Sequence, residues 1–298
     1  MSVLYDISLQ ITYDYEYPAD LSRHIVRLTP ADLPGRQRQI AGTLNIDPSP
    51  DEQHITMDFF GNRSVDLAFY QSHKAIEFLS HSRVERFEGQ NQAGSAPTLA
   101  RLQHDIQSVR SVAASSPHHF IAASARVTLD PSTTVYGKAA IKGSASVLDM
   151  VERVGEALHG DFSYDPKATT VETPMLEAFK LRKGVCQDFT HIMIACLRGV
   201  GIPAGYVSGF LRTLPPPGKK RLEGADAMHA WVRAWCGAEI GWVEYDPTNA
   251  NFAGVDYITI ASGRDYADVA PVKGVLRSFG KHTSTQKVDV VPVQKPKG

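Results

Sequence analysis

The sequence is poor in what would mark it as secreted, membrane-spanning or metal-dependent. Only three cysteines occur in 298 residues, an odd number without metal-ligand spacing, which argues against a disulfide framework and agrees with a reducing compartment. No stretch reaches the roughly 18 apolar residues of a spanning helix. Met1-Ser2-Val3-Leu4-Tyr5-Asp6 lacks a charged leader with an apolar core, so a cytoplasmic location is expected. Neither sign of charge dominates: 31 Lys and Arg stand against 32 Asp and Glu, leaving no global attraction to nucleic acid or an anionic membrane. No strand–glycine-loop–helix fingerprint for a nucleotide is present, and no cofactor is expected.

What is present is a chain of ordinary globular composition, 43% hydrophobic and 21% charged, long enough for two domains. Val3, Tyr5, Ile7, Leu9, Ile11 and Tyr13 alternate as a half-buried strand. Further strand-like runs follow at 23–28, 40–46, 55–60, 64–70 and 75–79, broken by Pro30, Pro34-Gly35, Pro48, Pro50 and Gly61-Asn62. An antiparallel β-sandwich or barrel over 1–88 is predicted. Residues 89–142 read as a connecting segment with a flexible stretch at Gly89–Ser95, and 98–113 is left open between helix and strand. His118-His119 is a weak ligand spacing, better explained by surface or packing roles.

The rest of the chain turns on Lys183-Gly184-Val185-Cys186-Gln187-Asp188-Phe189-Thr190-His191. Apolar residues at Phe189, Met193, Cys196, Leu197 and Val200 predict a helix with one apolar face, ended by Gly201-Ile202-Pro203. Cys186 then falls in its first turn, where unpaired backbone N–H groups and the helix dipole favour an anion. Cys196 suits a small core hydrophobe and Cys236 an incidental turn residue. A metal site from Cys186, His191 and Cys196 is disfavoured, because ligands five and ten residues on rotate to different sides of a helix.

A cysteine nucleophile needs a base and a group to orient it. His229 opens the strand-like run 229–235 and Asp246 closes the run 240–246. If Cys236–Glu239 is a four-residue hairpin loop, Trp235 pairs with Ile240 and His229 lies opposite Asp246, with Cβ atoms roughly 5 Å apart on one face. A slip of one residue would separate them. Asp246 before Pro247 also suits a turn-former. Trp231, Trp235 and Trp242 suit an acyl groove or, more often, sheet packing. The proline-rich, basic loop 213–221 before His229 fits a lid or a selector of acidic substrates, though a solvated connection is the commoner case. Upstream, Ser146 with Asp149 caps a helix that stops at Gly160, and Thr173-Pro174 starts a short helix through Leu181.

The phrases Gly184-Val185-Cys186-Gln187-Asp188-Phe189, His229-Ala230-Trp231-Val232 and Asp246-Pro247-Thr248-Asn249 resemble the Cys, His and Asp blocks of the bacterial transglutaminase-like family, whose core is papain-related. Residues 5–84, with Asp58-Phe59-Phe60-Gly61-Asn62, are similar to the β-rich N-terminal region that accompanies it, and 263–272 to the segment that follows. The expected fold is therefore α+β: the β domain, a catalytic core over 143–262 with Cys on a helix and His and Asp on an antiparallel sheet, and a C-terminal segment over 263–298 packing back, its last strand at a sheet edge. The resemblance implies acyl transfer by Cys186, His229 and Asp246, with an upstream assisting oxyanion group for which Tyr164 is the first candidate and Gln187 the second; Trp231, from its aromatic character alone, is a candidate substrate contact. Hydrolysis of a peptide or isopeptide bond is the first expectation, glutamine–amine crosslinking the second, and an idle peptide-binding scaffold the alternative of another class. The expected partner is a peptide or protein substrate. The oligomeric state stays open.

Overall fold

The computed structural model describes residues 2–89, 96–213, 224 and 226–293. All but Gly89 of the expected flexible stretch Gly89–Ser95, and most of the proline-rich loop before His229, lie outside the described residues.

The N-terminal strands are β1 (Ser2–Val26), β2 (Gln37–Asp47), β3 (Glu52–Met57), β4 (Arg63–Phe69) and β5 (His73–Phe87). Then come α1 (Leu99–Ser108), α2 (Pro131–Ala140), α3 (Val147–Asp161), β6 (Ser163–Tyr164), α4 (Met175–Leu181), β7 (Lys183–Gly184) and α5 (Cys186–Gly199). The chain continues through β8 (Ala204–Leu211), β9 (Ala227–Trp235), β10 (Trp242–Asp246), β11 (Asn251–Phe252), β12 (Tyr257–Gly263), α6 (Tyr266–Val269), β13 (Val272–Arg277) and β14 (His282–Pro292). No helix among them is long and apolar enough to cross a membrane.

β1 is the spine of a curled seven-stranded antiparallel sheet. Its first half lies between β5 and β14, with Leu9 opposite both Ser80 and Val288. Its second half lies between β4 and β13, with Ile25 opposite Asp66 and Lys273. Two expected strands, 3–15 and 23–28, are thus one strand. The pairing breaks between Asp14 and Ala19, around Pro18, and Leu21 takes a φ of +49°, so the strand bends without ending.

The second sheet is antiparallel in the order β11-β10-β9-β8-β12. α5 packs on it and is covered by α2, α3 and α4. Instead of burying one face as expected, α5 is buried on all sides from Gln187 to Arg198, as a central helix must be. Its neighbours come close through glycine: a Cβ on Gly137 of α2 would stand 3.0 Å from the Cys196 carbonyl oxygen. α2 lies within the expected connecting segment yet packs as part of the core. Its sequence signal is terminal: Asp130 accepts the Ser132 N–H at 2.8 Å and Pro131 follows at the first turn. The interior residues Ser132, Thr133, Thr134 and Gly137 are weak helix formers, so periodicity alone gives no warning. α1 settles the open stretch after 98 as a helix, its Leu102 fully buried. Ser146 caps α3 as expected, whereas Thr173 accepts the Thr170 N–H and α4 starts after Pro174.

Amide side chains join the two sheets. Gln37 donates to the Thr259 carbonyl at 2.7 Å and accepts the Thr259 N–H at 2.9 Å. Asn62 does the same for Ser262, at 2.9 and 2.8 Å. Each pairs with β12 as a strand would, and so satisfies backbone groups on that edge.

Gly155 of α3 faces Tyr245 of β10 so closely that a Cβ would lie 2.0 Å from the ring. Gly155→Ala is expected to destabilise the fold by about 1–3 kcal/mol, as overpacking does, and to lower the melting temperature by several degrees in a thermal scan. An unchanged melting point would contradict this contact.

Candidate active site

The turn into α5 is built by one carboxylate. Asp188 Oδ2 accepts the Val185 N–H at 2.8 Å and the Thr169 hydroxyl at 2.6 Å, closing the helix start. Any side chain at position 184 would collide with it, since a Cβ there lies 2.4 Å from Asp188 Oδ2, and this is why glycine precedes the cysteine block. Burial raises the Asp188 carboxyl above its ordinary range, against the pull of those two hydrogen bonds. Cys186, partly exposed, is the first residue of the helix.

His229 sits on β9 opposite Gly209 of β8, and its side chain is 9% exposed. Its Nε2 bonds Asp246 Oδ2 at 2.7 Å, and Cys186 lies within hydrogen-bonding reach of the ring. With Nε2 committed to the carboxylate, Nδ1 is the nitrogen left for the thiol. The structure thus brings Cys186, His229 and Asp246 together from a helix and two strands.

The register that does so differs from the expected one. Trp235 pairs with Trp242, not with Ile240. Gly237 and Gly241 take φ values of +97° and +72°, and Cys236 N–H bonds the Gly241 carbonyl at 2.8 Å, so the loop runs one residue later on each strand. Asp246 is shifted by two positions along His229's strand. Such a shift preserves the face, and the pair meets on the diagonal.

Asp246 is fully buried and saturated with donors. Besides His229, Oδ2 accepts Asn249 Nδ2 at 2.6 Å and the Tyr257 hydroxyl at 2.8 Å, while Oδ1 accepts the Thr248 N–H at 2.8 Å. Burial works against its charge, yet the hydrogen bond and charge of His229, with Asn249 and Tyr257, hold the carboxyl below its ordinary value. Burial likewise opposes protonation of His229, but hydrogen bonds to Asp246 and Cys186 and their charges prevail and raise it to about 10. Asn249 and Tyr257 carried no role in the sequence reading. The Asp-Pro-Thr-Asn turn, with Asp246 bonding backbone two residues on, could have pointed to Asn249. Tyr257 arrives from β12 with no sequence signal.

The remaining candidates separate. Tyr164 stands opposite Gly184 where β6 and β7 pair, is 59% exposed, and is raised above its ordinary value by burial and by Cys186 beside it. Gln187 donates an amide N–H to the Val171 carbonyl at 3.1 Å. Trp231, expected as a substrate contact, has 0% exposure: its Nε1 donates to Glu244 at 2.9 Å and its ring stacks on His229 at 6.3 Å, so it supports the imidazole from behind. Glu244 in turn pairs with Arg36 at 2.6 Å, connecting the N-terminal domain to this support. Cys196 and Cys236 are sealed, and burial pushes both thiols up to about 12. His118 and His119 each place Nε2 against a backbone carbonyl, of Val109 and Val112.

Residues 136–247 match the family model of the transglutaminase-like superfamily, and residues 5–85 that of the bacterial transglutaminase-like N-terminal region. An uncharacterized protein of Mycobacterium tuberculosis is 32% identical over 268 residues, spanning 87% of this chain and 83% of its own length. The chain belongs to the bacterial transglutaminase-like family. An uncharacterized Mycobacterium leprae protein is also 32% identical, over 90% of this chain and 91% of its own. The fold of this transglutaminase-like chain superposes on the crystal structure of a candidate cysteine protease from Cytophaga hutchinsonii with a TM-score of 0.76 and 21% identity, covering 100% of this chain and 93% of that one.

The pair fixes a pH window. His229 stands above its unfolded value of 6.5, so its contribution to stability is complete below 6.5 and is lost as pH rises through about 10. Asp246 is depressed, so its contribution is present above 3.8 and is lost as pH falls through its lower folded value. In Asp246→Asn, the imidazole ¹⁵N signals of His229 are expected to titrate well below the wild-type midpoint. An unshifted midpoint would show that Asp246 does not hold the ring.

Proposed function

We propose that this transglutaminase-like chain carries out thiol-dependent acyl transfer on a peptide or protein, with Cys186 as nucleophile, His229 as acid and base, and Asp246 as the group that orients the imidazole. The observation that carries the reading is the commitment of His229 Nε2 to a buried carboxylate while the thiol meets the same ring from the start of α5.

The thiol proton already rests on His229 Nδ1 in a thiolate–imidazolium pair, and Sγ attacks the acyl carbon. The tetrahedral oxyanion is met by the Cys186 N–H, which the first residue of a helix leaves without an intrahelical partner. Collapse breaks the C–N bond, His229 gives its proton to the departing amine, and a thioester remains. Water then attacks, again through His229, and frees the acid and the thiol. Hydrolysis of a peptide or isopeptide bond is proposed first and glutamine–amine transfer second; the partial exposure of Cys186 admits either acceptor. The Tyr164 hydroxyl, beside Cys186 and mostly exposed, is the proposed second oxyanion donor. Gln187 could serve only by leaving Val171.

Near neutral pH, Cys186 is expected to react with iodoacetamide well before Cys196 and Cys236, read by peptide mass mapping. Equal rates for the three would remove the catalytic reading. Incubation of wild type and Cys186→Ala with a peptide library, with and without a primary amine, separates hydrolysed products from amine adducts. Asp246→Asn should reduce turnover by about 10²–10⁴-fold while leaving the fold intact by circular dichroism.

A further inference from the structure

Between the curled sheet and the core lies a cleft of about 540 Å³, within the size range of ligand sites and at a domain boundary where such sites are frequent. One wall carries Tyr13 and Tyr15 of β1, the other Tyr266 of α6. His24 also lines it, 5% exposed, and neither of its ring nitrogens has a partner. The ring fits because its strand neighbour is Gly274, where a Cβ would stand 2.4 Å from His24 Nδ1.

The charges are unequal. Arg126 and Lys273 bring two cations to the lining, against one carboxylate, Glu172. Arg126 holds Glu172 at 2.8 Å, but the Glu172 side chain is 75% exposed, and an ion pair so open to water is weak and easily exchanged. A second cavity of about 260 Å³ shares Arg126, Val171 and Glu172 with the cleft and runs along Gln187, the residue after the nucleophile, on the His191 face of α5. Gln187 itself bonds the Val171 carbonyl on that shared wall.

We infer that the cleft is the subsite for an acidic residue of the peptide substrate, whose carboxylate displaces Glu172 from Arg126 and is met by Lys273 and the tyrosine hydroxyls, while flanking apolar side chains lie against the tyrosine rings. The role as a substrate subsite rests on the acyl-transfer reading; the capacity to bind an acidic peptide does not.

The test is direct binding on the Cys186→Ala chain, by calorimetry, of acetyl-Phe-Glu-Phe-amide and its Phe-Gln-Phe counterpart. The glutamate peptide is expected to bind at least about fivefold more tightly. Arg126→Gln should bring the two to within about twofold, as should Lys273→Gln in large part, and Glu172→Gln should tighten the glutamate peptide by removing its competitor. These three side chains are at least partly exposed, and their variants are expected to leave the fold unchanged by circular dichroism. Equal affinity for the two peptides, no binding of either at about 1 mM, or a preference untouched by Arg126→Gln would overturn the assignment. Because binding is read without the thiol, and thiol reactivity is read on the wild type, failure of the subsite and failure of the catalytic reading are told apart.

Discussion

The hydrogen bond between His229 Nε2 and Asp246 Oδ2, 2.7 Å long and closed to water on the carboxylate side, is the constraint from which the rest of the site follows. A fully buried carboxylate is tolerable only if its lone pairs are occupied, and here the occupants come from one ring, one amide, one phenol and the backbone of a turn. Holding Asp246 this way selects the ring nitrogen presented to Cys186. It also favours the imidazolium that any acyl transfer through the thiol must form.

The architecture around that bond supports both partners from behind. Trp231 fills the space beneath His229 and is itself held by Glu244, which Arg36 of the N-terminal domain neutralises. The β domain is therefore not merely appended: it contributes a charge to the layer supporting the imidazole, and Gln37 and Asn62 complete the edge strand of the core sheet. On the other side, Gly184 and Asp188 shape the turn that brings Cys186 to the ring.

Much of this was legible in the chain because the chemistry is local at each of its three pieces. A glycine-led cysteine at a helix start, a histidine opening an aromatic strand and an Asp-Pro turn closing the next are short-range patterns, and they named the right elements. The hairpin register was not legible, since a loop beginning at Cys236 or at Gly237 satisfies the same composition, and only the left-handed glycines distinguish them. The error was harmless because a shift of two preserves the face. α2 escaped because its interior lacks a periodic apolar stripe, and Tyr257 because a contact made from a distant strand leaves no mark in sequence spacing. Trp231 took the packing role expected more often of such residues and not the substrate contact: aromatic residues beside a histidine serve as support as readily as for contact.

The chain belongs to the bacterial transglutaminase-like family, and the proposal of acyl transfer turns on whether this thiol becomes acylated. The most direct measurement is intact-mass and peptide-level analysis of the chain after brief exposure to p-nitrophenyl acetate near neutral pH. One acetyl group per chain, on Cys186, that disappears in Cys186→Ala and fails to accumulate in His229→Ala, is the expected result. No adduct, or acetylation spread evenly over Cys186, Cys196 and Cys236, would contradict a nucleophile activated by His229 and Asp246.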